Sequence, residues 1–218
     1  MNNQNRNQQI WYQNKIKGGL AEEICMSHFQ YLGFNVSRCG IEHIAPEYTS
    51  YANRIDAKSN AVRKVLNKTP DLLVSNTEKA FLVEVKFSST IKNNRDFYKY
   101  ADKLLFDYRY MLFRCNDLGG IDDQAEFQKA LNSLKDSELQ EKLCEDFIFY
   151  VVLQTKDSSF NSYVHIFMPK YYKADRNHGL GWKNAKTNPI EISNFSKGYL
   201  EVVEPLLDAL FQSNDKHI

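Results

Sequence analysis

The sequence predicts an α/β protein, with a central mixed β-sheet flanked by helices. Three observations lead there. Two strand-like segments, 71–74 and 80–87, are separated by the short polar stretch Ser75-Asn76-Thr77-Glu78-Lys79, which is hairpin spacing. The run Phe147-Ile148-Phe149-Tyr150-Val151-Val152-Leu153 is apolar throughout, which suits a central strand covered on both faces. Segments of helical periodicity lie before the first strand, between the strands and at the end of the chain.

Taken in order, residues 1–12 are polar and rich in Asn and Gln, and read as a disordered leader. Residues 15–32 read as a helix because Ile16, Leu20, Ile24 and Phe29, with Cys25 and Leu32 beside them, form one stripe. Gly33 should stop it. Residues 34–39 alternate enough for a first strand, and 40–68 form a long polar insertion. After the hairpin, 96–111 places Phe97, Tyr100, Leu104, Tyr108 and Met111 on one helical side, to be packed on the sheet. Residues 124–146 read as one or two amphipathic helices and 163–168 as a further strand. A loop over 169–189 and a helix over 195–211 follow. The expected organisation is one domain over 13–218, with the insertion 40–68 and a C-terminal extension 157–218.

Composition narrows the function. Over 218 residues, 28 Lys+Arg against 27 Asp+Glu leave a net charge of +1. That argues against coating nucleic acid by bulk charge and against an acidic disordered chain. No run of 18 apolar residues spans a membrane, and the opening lacks the apolar core of an export signal, so a cytoplasmic protein is expected. Cys25, Cys39, Cys115 and Cys144 show no metal-ligand spacing and read as reduced core thiols. No phosphate-cradling Gly-x-x-x-x-Gly-Lys loop is present, so the chain brings no ATPase of its own.

The chemistry concentrates in Pro70-Asp71 and Phe81-Leu82-Val83-Glu84-Val85-Lys86-Phe87. Alternation puts Glu84 and Lys86 on one face with Leu82 and Ser88, and Phe81, Val83, Val85 and Phe87 on the other. The two charges then stand about 6–7 Å apart at the Cα level. Charges on such a strand are costly unless paired or used. An antiparallel hairpin would bring Asp71 to the same edge as Glu84. Two converging carboxylates suit Mg²⁺, with water and a substrate phosphate completing the shell. Lys86 would then orient or help deprotonate water and offset charge on the phosphate. The plain alternative makes Glu84 and Lys86 the solvated face of an edge strand and Asp71 a turn cap.

Pro70-Asp71 followed by Glu84-Val85-Lys86 resembles the signature of the PD-(D/E)xK nucleases, the restriction-endonuclease-like superfamily. Lys17-Gly18-Gly19-Leu20-Ala21-Glu22-Glu23 with Gly33-Phe34-Asn35-Val36 is similar to the opening of archaeal Holliday-junction resolvases. The resemblance covers roughly residues 15–115 plus the strand at 147–153. It implies a restriction-endonuclease-like core and a Mg²⁺-dependent DNA endonuclease, with Mn²⁺ as the substitute ion. By resemblance, Asp71, Glu84 and the Val85 carbonyl bind the metal, and Lys86 acts on the water. Glu22, with Glu23 as the fallback, completes a second metal site or holds a metal-bound water. A homodimer is a further implication, since many relatives cut both strands as dimers. A repair, restriction or phage-defence role, with or without a separate motor or defence-system partner, stays open.

Two segments carry candidate nucleic-acid contacts. Arg54, Lys58, Arg63, Lys64 and Lys68 give 51–70 a local balance of +4. Lys170, Lys173, Arg176 and Lys183, with Lys186 and Lys197, give 160–200 the same, interleaved with Tyr171, Tyr172 and Trp182. Such mixtures suit phosphate contact and base stacking. Residues 117–146 carry −6 and belong away from the cleft or against a basic partner. Two other classes stay open beside a DNA endonuclease: an inactive nuclease-fold DNA-binding or assembly subunit, and an RNA-directed nuclease.

Overall fold

The computed structural model describes residues 3–39, 70–116, 125, 126, 129, 146–156, 158, 161–169 and 196–211. Helix α1 spans Asn3–Tyr31, and strands β1 Asn35–Arg38, β2 Leu72–Ser75 and β3 Ala80–Ser88 follow. Helix α2 spans Asn94–Asn116, then come β4 Phe147–Leu153, β5 Val164–Phe167, a π-helical turn Tyr199–Val203 and α3 Glu204–Phe211. The strands form one five-stranded mixed sheet in the order β1-β2-β3-β4-β5. Among the described strands, only the β3–β4 pair is parallel.

The hairpin forms as expected, with Leu72 opposite Val83 and Ser75 opposite Ala80. Asn76 closes its turn, the side-chain oxygen accepting from the Glu78 N–H at 2.9 Å and the Lys79 N–H at 2.8 Å. Every residue of β4 is buried, as its unbroken apolar run requires of a strand with two neighbours and two covered faces.

One face of the sheet carries Leu72, Val74, Phe81, Val83, Val85, Ile148, Tyr150, Val152, Val164 and Ile166, and packs on α1, the π-turn and α3. The other carries Phe147, Phe149, Val151, Leu153 and Phe167 and packs on α2 through Phe97, Ala101, Leu104, Leu105 and Tyr108. Each large side chain so buried contributes about 1.5–3 kcal/mol. Asn93 caps α2: its side-chain oxygen accepts from the Asp96 N–H at 3.1 Å and its amide donates to the Asp96 carboxylate at 3.0 Å.

Helix α1 departs from expectation twice. It begins at Asn3, so the leader expected to be disordered over 1–12 is helical from Asn3 onward. No Gly or Pro occurs before Gly18, and a nucleated helix gains one hydrogen bond for each residue added. The buried stripe is Ala21, Ile24, Cys25, His28 and Phe29, whereas Ile16 is 71% exposed. His28 replaces an apolar residue there because its Nδ1 meets the Tyr150 hydroxyl at 2.9 Å. The helix ends as predicted at Gly33, whose φ of +85° is a left-handed stop, with the Phe34 N–H donating to the Phe29 carbonyl at 3.0 Å.

At the far end, α3 is fastened to the sheet by Lys156, which reaches Glu204 at 2.7 Å and Asp208 at 3.3 Å. The Tyr163 hydroxyl donates to the Asp208 carboxylate at 2.9 Å. Neither Cys25 nor Cys39 is in a disulfide. Among the described residues, no helix is long and apolar enough to cross a membrane.

Candidate functional site

The sheet forks where β1 and β2 stop. β2 pairs with β3 only as far as Val83, while β3 runs on to Ser88 beside β4. Asp71 immediately precedes β2, so the register that sets Leu72 opposite Val83 sets Asp71 opposite Glu84. Its backbone carbonyl accepts from the Cys39 N–H at 2.9 Å, fixing the ends of β1 and β2 together. Its carboxylate Oδ2 accepts from the Val85 N–H at 2.7 Å, bridging the fork. Phe81, Val83 and Val85 are buried against α1, leaving Glu84 and Lys86 on the α2 side as alternation requires.

Glu84 and Lys86 are ion-paired through Oε1 and Nζ. The two residues that alternation spaces along one face therefore meet directly. Burial pulls the Lys86 ammonium down, but the Glu84 and Asp71 carboxylates, the Glu84 hydrogen bond and Tyr100 together carry its pKa above the usual value. Lys86 stays charged at neutral pH. The opposite holds for Asp71, whose carboxyl is pushed up to about 7. Burial is the main cause, followed by the neighbouring Glu84 charge, with Glu22 adding to it; Lys86 and the Val85 N–H work against the rise.

Glu22 comes from α1, and its charge reaches both Asp71 and Cys25. The side chain is 15% exposed against 64% for Glu23, so Glu22 is the glutamate that faces the cluster. Arg38, at the end of β1, holds it at 3.2 Å and also pairs with Glu23. No sequence signal pointed to Arg38. A single arginine in a short polar strand has no spacing that ties it to a helix sixteen residues earlier.

Tyr100 of α2 packs half-buried on the same sheet face; burial raises its phenol, the Lys86 charge opposes this, and the Asp107 and Glu84 charges add to it. Cys25 and Cys39 border the same cluster; burial, then the Asp71 charge, raises both thiols, so they are poor nucleophiles there.

Glu22, Asp71, Glu84 and Lys86 are thus neighbours at one end of the sheet. Among the described residues, no three His, Cys, Asp or Glu side chains converge tightly enough to hold a metal ion as they stand. The donor chemistry nonetheless fits Mg²⁺, which uses one or two carboxylates and keeps waters or substrate oxygens for the rest. Asp71 and Glu84, opposite one another across the fork, are such a pair. Burial first, and then the Glu84 charge, hold the Asp71 carboxyl up in the protein as it stands.

Arg54, Lys58, Arg63, Lys64, Lys68, Lys170, Lys173, Arg176 and Lys183 all lie outside the described residues, as do the helices expected over 124–146 except at 125, 126, 129 and 146. No family model, curated protein or solved structure matches the chain.

Proposed function

We propose that this protein is a Mg²⁺-dependent DNA endonuclease with a restriction-endonuclease-like core. The observation that carries the reading is the fork in the sheet, where Asp71 stands opposite Glu84 beside a charged Lys86. Asp71, Glu84 and the Val85 carbonyl would hold the ion, with Glu22 in support. When bound, Mg²⁺ supplies Lewis acidity to the phosphodiester and acidifies a water.

The remaining work falls to side chains. The Val85 N–H fixes one Asp71 oxygen, and the other would be the one to hold the ion. Lys86, kept protonated by the acids around it, is suited to orienting the attacking water and to compensating charge on the phosphate, not to removing a proton. Arg38 holds Glu22 in place from β1.

The test offers plasmid, linear and branched DNA to the protein with Mg²⁺, with EDTA, and as Asp71→Ala and Lys86→Ala, and measures Mg²⁺ binding by calorimetry alongside. Cleavage and Mg²⁺ binding should both be lost in Asp71→Ala, and cleavage alone in Lys86→Ala. Cleavage that survives EDTA and both substitutions would sink the reading. One observation favours a second reading: the Glu84 carboxylate is already paired with Lys86, as in a fold kept for binding without turnover. That alternative gives salt-sensitive DNA binding with no hydrolysis under any divalent ion. Single-stranded RNA offered beside DNA separates an RNA-directed enzyme from both.

A further inference from the structure

The sheet-facing stripe of α1 is Ala21, Ile24, Cys25, His28 and Phe29. One turn before Ala21 the same side of the helix carries Lys17, half-buried where the period favours an apolar residue. Its ammonium stands 5.6 Å from the centroid of the Phe87 ring and donates to the Gln154 amide oxygen at 3.5 Å. Gln154 is held just past β4, its backbone N–H donating to the Ser88 carbonyl at 2.9 Å. Phe87 follows Lys86 on the stretch of β3 that runs on beyond the fork.

The other half-buried cations among the described residues are paired with acids. Arg38 meets Glu22 and Glu23, Lys86 meets Glu84, and Lys156 meets Glu204 and Asp208. Lys17 differs, since its partners are a neutral amide and a ring. A half-buried ammonium gives up hydration, and neither partner offsets its charge as a carboxylate does. The contact uses one ammonium N–H and the oxygen of Gln154, which leaves two ammonium N–H groups and the Gln154 side-chain NH₂ as donors for an anion.

We infer that Lys17 and Gln154 form a binding site for a phosphate group. Phosphate oxygens accept from several N–H donors at once and supply the negative charge that the pair lacks. Under the nuclease reading above, on which this step rests, the occupant is a backbone phosphate of the bound DNA. Glu22 lies five residues further along α1, a rise of about 7.5 Å, which corresponds to about two nucleotides of one strand. The site thus holds the strand close to the reacting phosphodiester and leaves the chemistry to Asp71, Glu84 and Lys86.

Inorganic phosphate tests the site without DNA. In a ¹⁵N-edited NMR titration at low salt, the Gln154 side-chain amide should shift saturably with phosphate, and Lys17→Gln should abolish the shift. An amide that phosphate does not move, or moves equally in Lys17→Gln, overturns the inference. Duplex binding with Ca²⁺ in place of Mg²⁺ then tells DNA from free phosphate. Lys17→Gln should lower the slope of log binding constant against log salt by about 0.9, and the affinity about fivefold at roughly 0.15 M salt. Lys17→Arg should keep both, and Gln154→Glu, which gives Lys17 an acid, should match the loss without lowering the thermal midpoint. An equal loss in Lys99→Gln, at an exposed position of α2, would make the effect one of bulk charge and overturn the DNA assignment. Failure of the unsubstituted protein to bind DNA sinks the nuclease reading instead, and the phosphate titration still decides Lys17 and Gln154.

Discussion

Replacing Asp71 by Asn should stabilise the protein at alkaline pH in the absence of metal. The Asp71 carboxyl titrates near 7 in the fold against an ordinary value of 3.8, so the folded state binds its proton more tightly than the unfolded chain. Below about pH 4 the carboxyl is protonated in both states and imposes no penalty. As pH rises towards 7 the unfolded chain ionises first and the fold loses stability; above about pH 7 the loss is complete. The displacement from 3.8 to about 7 corresponds to an upper value of about 4 kcal/mol, and partial access of water to Asp71 reduces it to roughly 2–4 kcal/mol. Asn carries no charge at any pH, and its side-chain oxygen can still accept from the Val85 N–H. Urea unfolding of both proteins in EDTA should give equal stabilities near pH 4. By pH 8.5 the gap should favour Asp71→Asn, equivalent to roughly 5–15 °C in Tm for a chain of this size. Saturating Mg²⁺ should narrow that gap by stabilising only the unsubstituted protein. Stability curves that run parallel from pH 4 to 8.5, or a variant weaker throughout, would refute the reasoning.

Three further outcomes follow from packing. Gly18→Ala and Gly19→Ala should each stabilise α1 by about 0.5–1 kcal/mol, because an added Cβ meets nothing within 4 Å and glycine is costly in a helix interior; a fall in thermal midpoint for both would contradict this. Gly198→Ala should cost about 1–3 kcal/mol in chemical denaturation, since its Cβ would lie 2.9 Å from the buried His28 ring and 3.1 Å from Leu32. Tyr150→Phe should cost about 1–3 kcal/mol by removing the hydroxyl that meets His28 at 2.9 Å inside the core, and an unchanged midpoint would show that the contact contributes nothing.

Much of the sheet was legible beforehand, and for a definite reason. Alternation along β3 states which side chains are buried, and Phe81, Val83 and Val85 obey it. The unbroken run of β4 marks a strand with no solvent face, and Gly33 supplies the left-handed residue that ends α1. The stripe of α1 was less legible. Ala21 is too small and His28 too polar to count as core by composition, yet both are fully buried, while Ile16 lies in the open. Burial of His28 depends on Tyr150, 122 residues away, which no local period encodes.

The same division runs through the candidate site. The sequence by itself determined that Asp71 lies beside the strand next to that of Glu84 and Lys86 and that Glu84 and Lys86 share a face, because strand period and hairpin length are local properties. Only the tertiary structure decided that Glu22 and not Glu23 turns inward, that Arg38 holds it, and that Lys86 pairs with Glu84. Those choices depend on how helices sit on the sheet. Side-chain periodicity fixes which face of an element is covered, but the partner it meets there is set by the packing of elements distant in the chain.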